Sequence, residues 1–190
     1  MNPIAKAING FKKDPTQKFI IIDYTDPKYK GKRLNAYCDW YKVRNVFVIF
    51  YKSIIMYFLK YWPPCNLKNW LYRILLGMKI GKDVSIAPLV IFDPFFPELT
   101  TIEDNVLVGS SAEIATHEFT LHKIRIGRVH IKKNTLIGGF SVIRSGITIG
   151  ENSVIALQSY VREDVEPYSF IAGIPGKLKK TLTLEEVKSI

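Results

Sequence analysis

Residues 131–166 read IKKNTLIGGFSVIRSGITIGENSVIALQSYVREDVE. An aliphatic residue returns at every sixth position: Ile131, Ile137, Ile143, Ile149, Ile155 and Val161. Four residues after each of these stand Thr135, Ser141, Ile147, Ser153, Ser159 and Val165. A helix repeats every 3.6 residues and a lone strand every two, so neither produces a lock on six. The pattern calls for short strands joined by turns, three to a coil, with residues eighteen apart stacked on one another. A single coil cannot bury its own aliphatic side chains, so neighbouring coils share a core. Asp104-Asn105, Gly138-Gly139 and Glu151-Asn152 carry residue types that suit the tight corners.

Working outward, the same period appears in Ile80, Ile86 and Phe92, and again in Ile102, Val108 and Ile114. It breaks twice. Phe92 to Ile102 is about four residues too long, around Asp93-Pro94-Phe95-Phe96-Pro97. Ile114 to Ile131 is longer still and holds all three histidines, His117, His122 and His130. Loops that interrupt a rigid stack are where binding and chemistry collect. The expected organisation is a basic, partly helical region over 1–79, the repeat domain over 80–181 and a short helix over 182–190. Thr183 and Glu186 form a capping-box pattern that opens that last helix.

Before the repeats, residues 1–35 are polar and mixed, with a strand candidate at 19–22 and a loop over 23–33. Residues 36–62 read as an unusually apolar helix. Arg44, Lys52, Ser53 and Lys60 leave it only a thin polar stripe, so it must be buried, paired or laid in a membrane interface. Pro63-Pro64 stops it. A second helix over 66–78 carries Leu67, Trp70, Leu71, Ile74, Leu75 and Met78 at three- and four-residue steps. Asn66 is its expected N-cap, and its expected place is across the open first coil.

The 190 residues hold 47% hydrophobic side chains, which fits a folded chain and excludes a disordered one. Net charge is +10, and its excess lies at one end. Residues 1–79 hold 15 Lys and Arg against 4 Asp and Glu; residues 80–190 hold 12 against 13. An anionic surface such as lipid headgroups is the partner this balance suggests, against a plain solvated arm. Nucleic acid is not expected, since no recognition motif accompanies the charge. Cys38 and Cys65 make neither a disulfide framework nor a zinc site. The first forty residues lack an apolar leader, and the run Val46–Leu59 is too short to span a bilayer. The expected location is cytoplasmic, with a peripheral membrane position open to the 36–62 segment.

Four motifs occur in order: Ile102-Glu103-Asp104-Asn105, Ala115-Thr116-His117-Glu118, Leu136-Ile137-Gly138-Gly139 and Ala172-Gly173-Ile174-Pro175-Gly176-Lys177. Together they resemble the galactoside/maltose O-acetyltransferase group of hexapeptide-repeat acyltransferases, over roughly residues 72–181. The resemblance implies a mainly β fold, a left-handed parallel β-helix. It implies a homotrimer with active sites between subunits, acetyl-CoA as donor, and a sugar or glycan hydroxyl as acceptor. His117 matches the family's general base, which takes the acceptor's proton without a covalent enzyme intermediate. A backbone N–H of the Gly138-Gly139 turn is the expected oxyanion donor. Gly139, Leu157 and Arg162 are expected along the pantetheine arm, and Lys177 and Lys180 at the phosphates. Asp93 and Phe95 are expected to face the acceptor, Asp93 as a partner for a sugar hydroxyl or as a turn cap. Glu118 is a candidate to orient the imidazole. Gly176 and Leu136 depart from the family pattern, which has Ala and an aromatic residue there.

No metal is expected. A γ-class carbonic anhydrase would share the coil, but it needs three zinc-binding histidines. No histidine precedes His117, and His130 stands too late. The other alternative is a non-catalytic scaffold that oligomerises or binds membrane.

Overall fold

A computed structural model of the protein describes residues 2–29 and 40–189. In chain order, helix α1 (Pro3–Lys13) and strand β1 (Phe19–Asp23) precede helices α2 (Val46–Leu59) and α3 (Asn66–Leu76). The first coil is β2 (Lys79–Ile80), β3 (Ser85–Ile86) and β4 (Ile91–Phe92). The second is β5 (Thr100–Ile102), β6 (Leu107–Val108) and β7 (Glu113–Ile114). Strands β8 (His117–Phe119) and β9 (Lys123–Gly127) intervene. The third coil is β10 (Val129–Ile131), β11 (Leu136–Ile137) and β12 (Val142–Ile143), and the fourth β13 (Thr148–Ile149), β14 (Val154–Ile155) and β15 (Tyr160–Val161). Strands β16 (Ser169–Ala172) and β17 (Lys177–Thr181) and helix α4 (Leu184–Lys188) close the chain.

The repeat strands pair in parallel along three faces: β2-β5-β10-β13, β3-β6-β11-β14-β16 and β4-β7-β12-β15. The chain visits the faces in turn and returns to the first. Register follows the six-residue period, with Ile131 on Ile149, Ile137 on Ile155 and Ile143 on Val161. Both breaks are absorbed without loss of register, since Ile102 sits on Ile80 and on Ile131. All twelve period residues are buried in one core. The small residues four places later are buried too, and several tie coils together. Thr135 Oγ1 donates to the Gly150 carbonyl at 3.1 Å and Ser141 Oγ to that of Ala156 at 2.9 Å.

Corners take left-handed backbone. Asn105, Asn134 and Asn152 have φ near +55°, and their amides form a ladder at 3.0 Å per rung. The Gly138-Gly139 corner differs from expectation. Its left-handed residue is Phe140 (φ 58°). Gly138 is required by close approach, because a Cβ there would lie 2.6 Å from the Leu157 nitrogen.

The N-terminal region departs from a solvated arm. Helix α1 buries Ile4, Ile8 and Phe11, a one-face spacing, and starts from an Asn2 cap with Pro3 in its first turn. Strand β1 pairs antiparallel with β9, which pairs with β8, so the histidine-bearing insertion is a three-stranded sheet and not a loop. Ile22, Tyr24, Ile124, Ile126, Phe96 and Leu99 close a second core with α1.

The helix expected over 36–62 is shorter: α2 begins at Val46, where Asn45 accepts from the Phe47 N–H at 2.9 Å, and Trp40–Lys42 is a 3-10 turn. Cys38 and the start of that expected helix lie outside the described residues. The cap of α3 is Cys65, not Asn66; its Sγ accepts from the Lys68 N–H at 3.4 Å. Gly77 ends α3 in left-handed backbone.

Helix α3 lies on the first coil with its polar side inward. In the stack each coil's N–H groups donate to carbonyls of the next, as Gly81 does to Ile102 and Ala87 to Val108. The first coil's own carbonyls therefore face the open end. Lys68 Nζ donates to Ile86 at 3.0 Å, Asn69 Nδ2 to Val84 at 2.7 Å and Arg73 Nε to Ile80 at 2.7 Å. Lys68 is fully buried, and that burial pushes its ammonium down to about 8. The expected apolar stripe splits accordingly: Met78 packs inward with Tyr72 and Leu76, while Leu67, Trp70 and Ile74 stay exposed.

Candidate active site

Asp93 leaves β4 and His117 opens β8, both at the corner between the third face and the first. Pairing of Phe92 with Ile114 stacks these two exits in adjacent coils. Asp93 is 6% exposed, and its carboxylate is fully engaged. Oδ1 accepts from the Phe95 N–H at 2.8 Å. Oδ2 accepts from the Thr116 N–H at 3.0 Å and the Thr116 hydroxyl at 2.8 Å, and meets His117 Nδ1. Burial opposes ionisation of Asp93, but the hydrogen bond and charge of His117, with the Phe95 and Thr116 donors, hold its carboxyl below the ordinary value. With Nδ1–H donated to Asp93, the basic lone pair of His117 lies on Nε2.

Aromatic rings wall this pair. Phe95 lies over the imidazole with centroids 4.3 Å apart, and Phe119 meets it edge-on at 5.0 Å. The His117 side chain keeps 17% of its surface exposed. The site thus offers one oriented imidazole nitrogen in a largely apolar recess, which suits abstraction of a proton from an alcohol.

One expectation is resolved here and one corrected. Of its two expected roles Asp93 takes the turn cap, with Oδ1 on the Phe95 N–H, and both its oxygens are engaged inside the protein. Glu118 does not reach the imidazole. It accepts from Arg144 Nε at 2.8 Å and the Ser145 hydroxyl at 2.6 Å, because alternation along β8 turns it to the other side of the strand from His117. The remaining histidines are elsewhere: His122 is in the β8–β9 turn, and His130 Nε2 meets Glu103 at 2.6 Å. Among the described residues no group of three His, Cys, Asp or Glu side chains converges.

Behind Phe96 lies a second polar cluster. Glu98 receives Lys12 at 2.5 Å, Arg44 at 2.7 Å and Lys52 at 2.7 Å. Burial opposes its ionisation, yet these cations bring its carboxyl down to about 2. One carboxylate thereby ties α1, α2 and the insertion after β4 together. Nothing in the local pattern of Pro97-Glu98-Leu99 announces this role.

The expected donor-binding residues stand apart from His117 within one chain. Gly139 follows β11 and Leu157 follows β14, both at the corner between the second and third faces, where Leu157 is 70% exposed. Arg162 follows β15 on the His117 corner, two coils further on, and lies 3.6 Å from Glu163. Lys177 and Lys180 are exposed on β17, and Lys180 pairs with Glu186 of the C-terminal capping box. The residues expected at the acceptor, Asp93 and Phe95, are the ones that adjoin the imidazole.

Comparison with known proteins fits this architecture. The family model for bacterial transferase hexapeptide (six repeats) matches residues 128–163, and that for the hexapeptide repeat of succinyl-transferase matches 99–117. The chain is 37% identical over 147 residues to the Staphylococcus aureus (strain MRSA252) protein named "Putative acetyltransferase SAR0816", covering 77% of this chain and 91% of that one. Among solved structures, the hexapeptide-repeat acetyltransferase VCA0836 of Vibrio cholerae O1 biovar eltor, complexed with acetyl coenzyme A, superposes with a TM-score of 0.62 at 23% identity. That match covers 81% of this chain and 95% of the other. A maltose O-acetyltransferase from Clostridium difficile 630 gives 0.60 at 21% identity, covering 85% and 98%. The repeat register, the matched family models and the extent of the Staphylococcus likeness together make this chain a member of the hexapeptide-repeat acetyltransferase family, an acyltransferase.

Proposed function

We propose that the protein transfers an acetyl group from acetyl-CoA to a hydroxyl of a sugar or glycan, on a left-handed coil assembled as a homotrimer. The observation that carries the reading is the Asp93–His117 pair in its aromatic recess. His117 Nε2 takes the proton of the acceptor hydroxyl as its oxygen attacks the thioester carbonyl. The carbonyl oxygen gains the negative charge, and a backbone N–H stabilises it. Gly138 N–H already donates to Ile155 at 2.8 Å, so Gly139 N–H is the better donor. Collapse expels the CoA thiolate, which recovers the proton from the imidazolium. Asp93 keeps the tautomer and offsets the transient positive charge. No bond to the enzyme forms.

The separation of Gly139 and Leu157 from His117 on different corners favours a site completed by a second copy. Leu157 supplies exposed apolar surface for a pantetheine arm, and Lys177 an exposed cation for phosphate. Lys180 shares its charge with Glu186, which leaves Lys177 the stronger contact.

His117→Ala should lower turnover roughly 100-fold or more, the usual worth of a general base, and leave CoA affinity unchanged. The measurement is thiol release across a panel of sugar acceptors, with calorimetric titration of CoA. An unaltered rate removes His117 from the role.

A further inference from the structure

Helices α2 and α3 are turned inside out. In α2 the buried stripe is Ile49, Lys52, Met56 and Leu59, so the only charged residue of the helix points inward, to Glu98. The exposed stripe is Phe47, Phe50, Ile54, Tyr57, Phe58 and Tyr61, with Phe47 83%, Phe50 65% and Phe58 63% exposed. Their spacing of three and four residues puts them on one face. In α3 the buried residues include Lys68 and Asn69, and the exposed ones are Leu67, Trp70 and Ile74. Both helices bury their other sides on the same core, through Met56 and Leu59 from α2 and Tyr72 and Leu76 from α3. An apolar face of this extent marks a contact surface.

We propose that this face seats the protein on an anionic lipid bilayer, lying in the headgroup region and not crossing it. Charge favours lipid over a second copy. Arg44, Lys52, Lys68 and Arg73 are used inward, but Lys60 lies over the exposed Tyr57 and Tyr61 rings and residues 40–79 contain no Asp or Glu, so the face carries net positive charge, which disfavours pairing with itself and attracts an anionic surface. Side-chain type favours it as well. Tyr and Trp, which combine an apolar ring with a polar tip, are enriched where hydrocarbon meets water. Length fits a surface position: α2 has 14 residues, and no helix among the described residues is long and apolar enough to cross a membrane. Trp40 packs edge-on to Phe95, whose ring covers His117, so such seating would hold the reacting pair close to the lipid surface.

The test is flotation of the full chain with phosphatidylcholine vesicles, with and without phosphatidylglycerol, together with its molar mass by light scattering. Binding should be at least about tenfold stronger with the anionic lipid and should weaken with salt. Emission from Trp62 and Trp70 should shift to the blue. Phe50→Ser/Phe58→Ser, at two largely exposed positions, should abolish flotation and leave mass and melting temperature unchanged. Three results would each overturn the proposal: a wild-type chain that stays unbound, equal binding to neutral vesicles, or a double variant that floats normally. Loss of the oligomer in the double variant would also overturn it, and would assign the face to self-association. The proposal does not rest on the catalytic reading. His117→Ala should float like the wild type, so either idea can fail alone.

Discussion

At the level of single residues, the site turns on which carboxylate serves the imidazole. Asp93 and Glu118 were both within sequence reach of His117, one in the same corner a coil earlier and one next to it. Register decides between them: Phe92 over Ile114 brings Asp93 alongside, while strand alternation turns Glu118 away to Arg144. Asp93→Asn should therefore cut turnover by roughly 100-fold, since an amide neither fixes the Nδ1–H tautomer nor offsets imidazolium charge. Glu118→Gln should leave turnover within about threefold of wild type, because its partners lie outside the recess. Steady-state thiol release at saturating donor separates the two, and equal losses would show that the pairing acts only through folding. The break in the repeat singles out three histidines, and it is the resemblance of Ala115-Thr116-His117-Glu118 to the family motif that chooses His117 among them. Asp93 was visible as a candidate but not as the partner, since that depends on a stacking offset of 24 residues across an insertion.

Elements tell a different story. The coil strands were readable because one packing solution repeats and every sixth residue reports it. Helix α1 was not. Its buried side is only Ile4, Ile8 and Phe11, too few to stand out in a polar stretch, and its partners Ile124 and Ile126 lie over a hundred residues away. For α2 and α3 the stripes could be read but not their direction. Periodicity says that a helix has two sides; what lies opposite chooses between them. Here the choice is made by Glu98 and by open carbonyls, neither of which is local. Glu98 should consequently be a stability determinant. Its carboxyl ionises at about 2 in the folded protein against 4.5 ordinarily, so its contribution is complete above 4.5 and lost as pH falls from there toward 2. Glu98→Gln should cost about 3 kcal/mol at neutral pH, because three cations lose their shared partner. Denaturant melts followed from neutral pH down to 2 should show that loss, with a flatter acid dependence in the variant.

Across the whole molecule, the excess positive charge belongs to the N-terminal 79 residues, of which α1 and β1 run beside the coils as far as Asp164, while α2 and α3, with the exposed aromatic surface, sit on the first coil. The polar side of α3 has a consequence for this shape. A parallel coil carries no intrinsic length: its first turn shows a row of carbonyls that would accept N–H groups from a further coil. Lys68, Asn69 and Arg73 occupy that row, Lys68 fully buried, while at the far end β17 pairs antiparallel with β16. Each end of the stack thus carries its own stop. Replacing the three side chains by alanine should leave carbonyls without donors and lower the denaturation midpoint at unchanged mass. Head-to-tail filaments, sought by electron microscopy, should need the removal of β17 as well. Filaments from the triple variant alone would show that β17 does not close the far end.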